Sequence, residues 1–229
     1  MTPEIASQAL MGKPQPGPLS AAPPKDGTMS FYLIRHGATE LNSQGGTNKV
    51  DKIRGWRNVP LNDKGRQEAK ELGEKLKGSG IKVLVHSDMD RATETAQAIA
   101  DTTGAKMIAS PLLRPWNVGI YTGRNSNEAH PELVKMATNT PDEPIPNGES
   151  FNQFKHRAFQ GMKQALMEGQ GQAMGIVTHH RVERLYNAWR VAGEPEDFSI
   201  DFKTMFSHGE DPAAYQVFKV NPKALEDNG

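Results

Sequence analysis

The sequence predicts an α/β fold, a three-layer sandwich with a mostly parallel central sheet, helices on both faces and a helical and loop insert over one end. Three observations predict it. Short apolar runs alternate with segments whose apolar residues recur at helical spacing, the order that joins parallel strands through crossover helices. Glycine, asparagine and aspartate punctuate the junctions between them. At 229 residues the chain is long enough for one sizeable core, and no second block of composition marks another.

Residues 1–28 are dense in Pro, Gly, Ala and Ser with little large apolar content, so a disordered leader is expected there and a single domain over 29–229. Ser30 to Arg35 reads as the first strand. A polar loop from Gln44 to Asn62 follows, with Gly45, Gly46, Gly55 and Pro60, and with Lys49, Lys52 and Arg54 ahead of Trp56 and Arg57. Asp63 is the expected N-cap of a helix whose apolar stripe is Ala69, Leu72 and Leu76, ending at Gly78 and Gly80. Ile81 to His86 is a second strand, Asp88 to Asp101 a second helix, and Lys106 to Ser110 a third strand after a stop at Gly104. From Pro111 to Glu149 the pattern is irregular and proline-rich, broken by one helix around Asn127 to Ala137. A longer helix from Ser150 to Met167 completes an insert over about 111–170. Ala173 to Val177 is a fourth strand. Val182, Leu185, Tyr186 and Trp189 mark the apolar face of the helix after it, and Ala213 to Val220 adds a last strand.

Composition removes several classes of function. Lysine plus arginine and aspartate plus glutamate both number 27, so no overall field favours nucleic acid or an anionic membrane, and any anion site must be local. The sequence has no cysteine, which excludes disulfides, thiolate zinc sites and cysteine nucleophiles. No apolar run reaches transmembrane length, and the first residues lack the pattern of a signal peptide. A cytoplasmic protein is expected, without nucleic-acid or membrane partners; the oligomeric state is left open.

Three strand ends carry the chemistry. FYLIRHGATELN, residues 31–42, ends an apolar strand at Arg35, His36 and Gly37, followed by Thr39 and Asn42. An imidazole there can attack phosphorus, with Gly37 allowing close backbone approach. LVHSDMDRATETA, residues 84–96, runs a strand into Ser87 and places Arg91 about one turn inside the next helix. That arginine is either a solvated helix residue or one that points back over the strand end. AMGIVTHHRVE ends a buried strand at Thr178, His179 and His180. One such histidine could be a helix cap or a core residue, but a pair aligned with RHG fits that description poorly.

Together these segments resemble the histidine phosphatase superfamily, the phosphoglycerate mutase-like family with the RHG motif. R-H-G-x-T-x-x-N is complete as Arg35, His36, Gly37, Thr39 and Asn42; Ser87, Arg91 and Thr95 match the second motif; Gly55, Pro60, Leu61, Gly65 and Ala69 follow G-x-x-x-x-P-L-x-x-x-G. The resemblance covers roughly residues 30 to 220. It implies that His36 is the nucleophile that becomes a phosphohistidine, with Arg35, Arg91 and His179 holding the phosphoryl oxygens. Guanidiniums suit that role because they stay charged and donate in a planar fork. His36 must attack as the neutral imidazole, one nitrogen held as donor by a backbone carbonyl near Gly37 or Thr39. Gly37, Thr39, Asn42, Arg57, Asn117 and His180 are the expected substrate-binding residues. Asn42 is the family's extra phosphate donor or ends a helical turn. His180, where the family usually has glycine, either adds an imidazole at the rim or caps the following helix.

No cofactor and no metal are expected, since the adjacent His179 and His180 diverge and no carboxylate or thiolate stands at ligand spacing. The family's leaving-group acid is missing from its usual place: Pro115 occupies the glutamate position, and Asn117 cannot deliver a proton. Glu149, in a stretch similar to the family's G-E-S segment, is the candidate acid, or a residue orienting water or substrate. Asp88, Asp90 and Glu128 are weaker candidates. The leading expectation is a phosphomonoesterase acting on a small phosphorylated substrate or a phosphoprotein. Alternatives are a mutase-like phosphotransferase, a protein phosphohistidine phosphatase, and a non-catalytic binder of phospho-ligands that lost its acid.

Overall fold

Side chains alternate along each strand, and in this chain both sets are apolar, so each sheet face must be covered. The computed structural model describes residues 29–42, 50–169, 171–206 and 212–221. The leader expected over residues 1–28 lies outside them. Strands β1 (Met29–Arg35), β2 (Val83–Ser87), β3 (Lys106–Ser110), β4 (Met174–Thr178) and β5 (Tyr215–Val220) form one sheet in the order β3-β2-β4-β1-β5. All pairings are parallel except that of β5 with β1, which gives the mostly parallel sheet read from the sequence.

Among the described residues six α-helices accompany it: α1 (Asp63–Leu76), α2 (Asp90–Thr103), α3 (Ser126–Asn139), α4 (Phe151–Glu168), α5 (His180–Val191) and α6 (Phe202–Phe206). Tyr32, Ile34, Leu84 and Val177 enter a core with Leu72 and Leu76 of α1 and Ala92, Ala96 and Ile99 of α2. Their strand neighbours Phe31, Leu33, Val85 and Ile176 enter the opposite core, with Phe154 and Phe159 of α4 and Leu185 and Trp189 of α5. The period-2 split of β1 therefore produces the three layers. Among the described residues, no helix is long and apolar enough to cross a membrane.

Local chemistry sets the boundaries. The cap of α1 is Asn62 rather than Asp63: its side chain accepts from Gly65 N at 2.8 Å, while Asp63 sits in the first turn, where a negative charge suits the helix dipole. Gly104 ends α2 in the left-handed conformation at φ 69°, as its place in the sequence predicts. Ser150 and Gln153 form a reciprocal capping box at the start of α4. Strand β2 extends one residue further than predicted, so Ser87 belongs to the strand, and α2 begins at Asp90. The short α6 was not predicted, because five residues give too little periodicity.

The register puts Arg35 opposite Thr178, and His86 opposite Val177, so β1, β4 and β2 end side by side. Between β1 and β2 the chain crosses over β4, which opens a crevice at their carboxyl ends. The loop leaving β1 lies directly on the start of α1. Asn62 N donates to Ala38 O at 3.1 Å and Ala38 N to Glu68 Oε2 at 2.8 Å. A Cβ at Gly65 would stand 2.0 Å from Ala38 O, and one at Gly37 would stand 2.6 Å from Gly65 O. Two glycines facing each other allow this backbone-to-backbone approach. Gly65→Ala should therefore cost about 1–3 kcal/mol through forced separation of loop and helix. Urea unfolding would show it as a lower midpoint at unchanged slope.

Candidate active site

His36 is held at the end of β1 from both sides. Its N–H donates to Thr178 O at 3.1 Å, and its carbonyl accepts from Ala213 N at 3.2 Å. The ring is buried at 2% exposure, with Nδ1 2.7 Å from Gly37 O. A carbonyl only accepts, so Nδ1 carries the proton and Nε2 keeps its lone pair. This is the backbone pin expected near Gly37. Gly37 N in turn donates to Thr95 Oγ1 at 3.1 Å, and Thr95 Oγ1 donates to Arg91 O at 2.7 Å, which ties the loop to α2.

Arg91, in the first turn of α2, is buried and points back over the strand ends. Its Nε donates to His179 Nδ1 at 3.2 Å, Nη1 to Arg57 O at 3.1 Å, and Nη2 to Gly55 O at 3.2 Å. Because Nδ1 of His179 accepts, the proton of that ring lies on Nε2, which donates to Ser87 Oγ at 2.8 Å. The His36 and His179 rings meet edge to face with centroids 5.1 Å apart. Arg35, His36, Arg91 and His179 are thus brought to one cavity, and His180 joins them at its edge.

One site residue had been read only as a loop cation. Arg54 Nη1 donates to Asn42 Oδ1 at 2.7 Å and to Thr39 Oγ1 at 3.2 Å. Asn42 Oδ1 also accepts from Thr39 N at 2.9 Å, so Asn42 and Thr39 form the cradle that aims Arg54 into the cavity. The hydrogen-bonding pair Thr39 and Asn42 was the available signal; the partner could not be found, because the loop between them has no periodicity.

The cavity measures about 530 Å³, and the described residues that line it include five arginines, Arg35, Arg54, Arg91, Arg181 and Arg184, together with Lys52. Asp51 is the carboxylate among those described residues. Burial first, and then Arg91, Arg54 and Arg35, hold His36 well below the usual histidine range, against the Gly37 hydrogen bond. His179 is lowered by burial, Arg91 and the His36 ring. Burial and the nearby Arg35 push His180 down to about 2. The guanidiniums respond as well: burial and then Arg54 bring Arg91 to about 9, and burial and then Arg35 bring Arg54 to about 10. The site therefore presents neutral imidazoles among crowded cations.

Six predicted residues are not among those lining the cavity: Gly37, Thr39 and Asn42 stand behind His36 and Arg54 as their hydrogen-bond partners, and Arg57, Asn117 and Glu149 lie elsewhere. Arg57 offers its carbonyl to Arg91, but its side chain is not among those lining the cavity. Asn117 is absent from the lining; its N–H donates to Glu149 Oε1 at 2.8 Å, and its Oδ1 accepts from Gly119 N at 3.3 Å. Glu149 does not line the cavity either. Arg157 grips its carboxylate at 2.5 Å and 3.1 Å and also donates to the carbonyls of Leu112, Arg114 and Pro115. Asp88 is likewise engaged, by Arg114 at 2.6 and 2.7 Å. The insert lines the cavity with Pro115, Trp116, Ser126, Asn127, His130 and Pro131. Trp56, outside the lining, supports Pro115, donating from Nε1 to its carbonyl at 2.8 Å, with the Arg114 guanidinium 4.8 Å from the centre of its ring.

The family model of the histidine phosphatase superfamily (branch 1) matches residues 31–208. A Serratia proteamaculans protein named "Probable phosphoglycerate mutase GpmB" is 30% identical over 155 residues, spanning 66% of this chain and 69% of that protein. Its namesake from Escherichia fergusonii gives the same figures. The alpha-ribazole phosphatase of Shigella flexneri superposes with a TM-score of 0.64 at 25% identity, covering 82% of this chain and 89% of its own. A mycobacterial glucosyl-3-phosphoglycerate phosphatase superposes with a TM-score of 0.65 at 18% identity, over 84% of this chain and 90% of its own, a likeness of fold.

The histidines make stability pH-dependent. Folded His36 and His179 stay neutral while the unfolded chain takes up protons below about pH 6.5, so the unfolded state binds more protons there. Their contribution is complete above about pH 6.5 and is lost as pH falls towards the folded values, by up to about 1.4 kcal/mol per pH unit for each ring. Urea midpoints should fall steadily from about pH 7 to pH 5, and the imidazole NMR signals of both residues should show no titration over that interval.

Proposed function

The chain belongs to the histidine phosphatase superfamily, and from that premise we propose that it is a phosphomonoesterase acting through a phosphohistidine on His36. The observation that carries this reading is the buried, neutral His36 ring whose Nδ1–H is committed to the Gly37 carbonyl. Its Nε2 attacks phosphorus, the bond from phosphorus to the ester oxygen breaks, and the leaving group departs with that electron pair. Water then attacks the phosphohistidine and returns the imidazole. Arg35, Arg54 and Arg91 spread positive charge around the transferring oxygens, and two of them are already fixed by hydrogen bonds to neutral acceptors. His179 supplies its Nε2–H to a phosphoryl oxygen in exchange for Ser87.

Glu149 is a positioning residue in this reading. Held by Arg157 outside the cavity lining, it fixes the segment that carries Pro115 and Trp116. The charge of Asp51, the lining carboxylate, bears on Arg54. The site therefore suits phosphates whose leaving group departs without a donated proton, such as aryl esters or a protein phosphohistidine. The proteins named phosphoglycerate mutase among its relatives favour a second reading, in which a bound acceptor rather than water takes the phosphoryl group from the same histidine. A cysteine-free sequence fits action in the cytoplasm.

His36→Asn should lower kcat by at least about a thousandfold and abolish an acid-labile phosphoryl label that the unaltered protein acquires from labelled substrate. Aryl phosphates should be cleaved faster than alkyl phosphates by more than the reference difference in leaving-group reactivity, by the roughly 10²–10⁴-fold that a general acid would otherwise supply. Glu149→Gln should slow both classes by the same factor, whereas a loss confined to alkyl phosphates would return the acid role to Glu149.

A further inference from the structure

The two peptide groups that follow His36 are held by partners of different charge. In the first, Gly37 N donates to Thr95 Oγ1 at 3.1 Å and the His36 carbonyl accepts from Ala213 N at 3.2 Å, so both partners are neutral. In the second, the Gly37 carbonyl accepts from His36 Nδ1 at 2.7 Å and Ala38 N donates to the Glu68 carboxylate at 2.8 Å. A trans peptide carries its C=O and N–H on opposite edges, so Glu68 and the His36 ring lie on opposite sides of one amide. The carboxylate that a triad histidine holds directly at Nδ1 stands here one peptide further away.

The start of α1 positions that carboxylate. Gly65 and Glu68 are three residues apart, on the helix face that meets the loop after β1. Gly65 lets the two backbones touch, and Glu68, one turn on, reaches Ala38 N with Oε2. Its Oε1 lies 3.7 Å from the ammonium of the exposed Lys64. Ala38 is fully buried and its N–H needs an acceptor, a need that a neutral amide oxygen would also meet. A carboxylate does more: hydrogen bonds in series polarise one another, and a charged acceptor roughly doubles the strength of the bond it receives. Electron density in the amide therefore shifts towards the Gly37 oxygen, the atom that holds His36 Nδ1–H.

We infer that Glu68 is a positioning residue for the nucleophile, acting through the peptide that joins Gly37 and Ala38: its charge strengthens the Gly37 carbonyl as an acceptor and so favours phosphorylation of His36. The inference rests on the phosphohistidine reading and deepens it. As Nε2 gives its lone pair to phosphorus and the ester oxygen leaves with the electrons of the broken P–O bond, the ring gains positive charge while keeping its Nδ1 proton. The arginines lining the cavity oppose that charge, and the polarised Gly37 carbonyl meets it. Glu68 takes no proton and does not line the cavity, so it acts on transfer without touching the phosphate.

Glu68→Gln keeps an acceptor for Ala38 N and removes only the charge. In protein carrying isotope-labelled histidine, the NMR signal of His36 Nδ1–H, assigned by its absence in His36→Asn, should move upfield in Glu68→Gln, because a weaker acceptor deshields that proton less. Release of the aryl alcohol from an aryl phosphate in a single turnover should slow about threefold or more. Affinity for inorganic phosphate, measured by calorimetry, should change by less than about twofold. An unshifted Nδ1–H signal or an unchanged transfer rate overturns the inference and leaves Glu68 as a partner for a buried N–H. A loss of phosphate affinity as large as the loss of rate also overturns it, since that marks a displaced loop. Absence of aryl phosphate turnover by the unaltered protein overturns the phosphohistidine reading instead, while the Nδ1–H signal, read without substrate, still tests the link from Glu68 to the ring.

Discussion

Like charges held close together in a partly desolvated space repel strongly, and the site at the end of this sheet is arranged around that constraint. Among the described residues, five arginines, a lysine and one aspartate line the cavity. Any carboxylate brought to those arginines would stabilise them and at the same time occupy the place of an anionic ligand. The protein instead holds two of them, Arg91 and Arg54, with neutral acceptors. Arg91 donates to the carbonyls of Gly55 and Arg57 and to the His179 ring, and Arg54 to the side chains of Asn42 and Thr39. Direction is fixed in this way without cancelling charge, and the two histidines stay neutral because burial, and then the cations around them, oppose protonation.

The arginines of the surrounding wall follow the opposite rule. Arg114 is joined to Asp88, and Arg157 to Glu149, each through two nitrogen–oxygen contacts. Both guanidiniums also lie over the ring of Trp56. These pairs are internally neutral and serve to hold the 112–115 segment and the Trp56 loop together. Arginine thus has two uses here, told apart by whether a carboxylate is among its hydrogen-bond partners.

Much of this was legible in the sequence, for identifiable reasons. Strands are legible as short apolar runs and helices through apolar residues at helical spacing, His36 and His179 because each sits where such a strand stops, and Arg91 through the resemblance of its segment to the family's second motif. The capping position moved from Asp63 to Asn62, since both side chains cap well and only geometry decides which oxygen reaches Gly65 N. Arg54 lies in a loop without repeat, so nothing in the sequence linked it to Thr39 and Asn42. Glu149 was taken as a possible acid because its partner, Arg157, stands two helical turns away and owes its position to three carbonyls of the insert. Nothing in the sequence singles out Arg181 and Arg184, because Trp116, whose ring lies 5.5 Å from the Arg181 guanidinium, is distant in sequence.

The strand order has a consequence for how the protein is made. Strand β1 leaves a ribosome before the other four strands of this sheet, yet its neighbours are β4 and β5, the last of the five in chain order. Until they emerge, the apolar run Phe31 to Ile34 has both hydrogen-bonding edges open, the state most prone to wrong pairing and to capture by chaperones. Contacts of such long range are slow to close, so sheet completion is a late event in folding. The backbone bonds that hold His36 run to Thr178 and Ala213, and they form in that same event. A nascent or truncated chain lacking its last strands therefore has no assembled catalytic centre, and phosphate-handling activity reports on completion of the whole sheet.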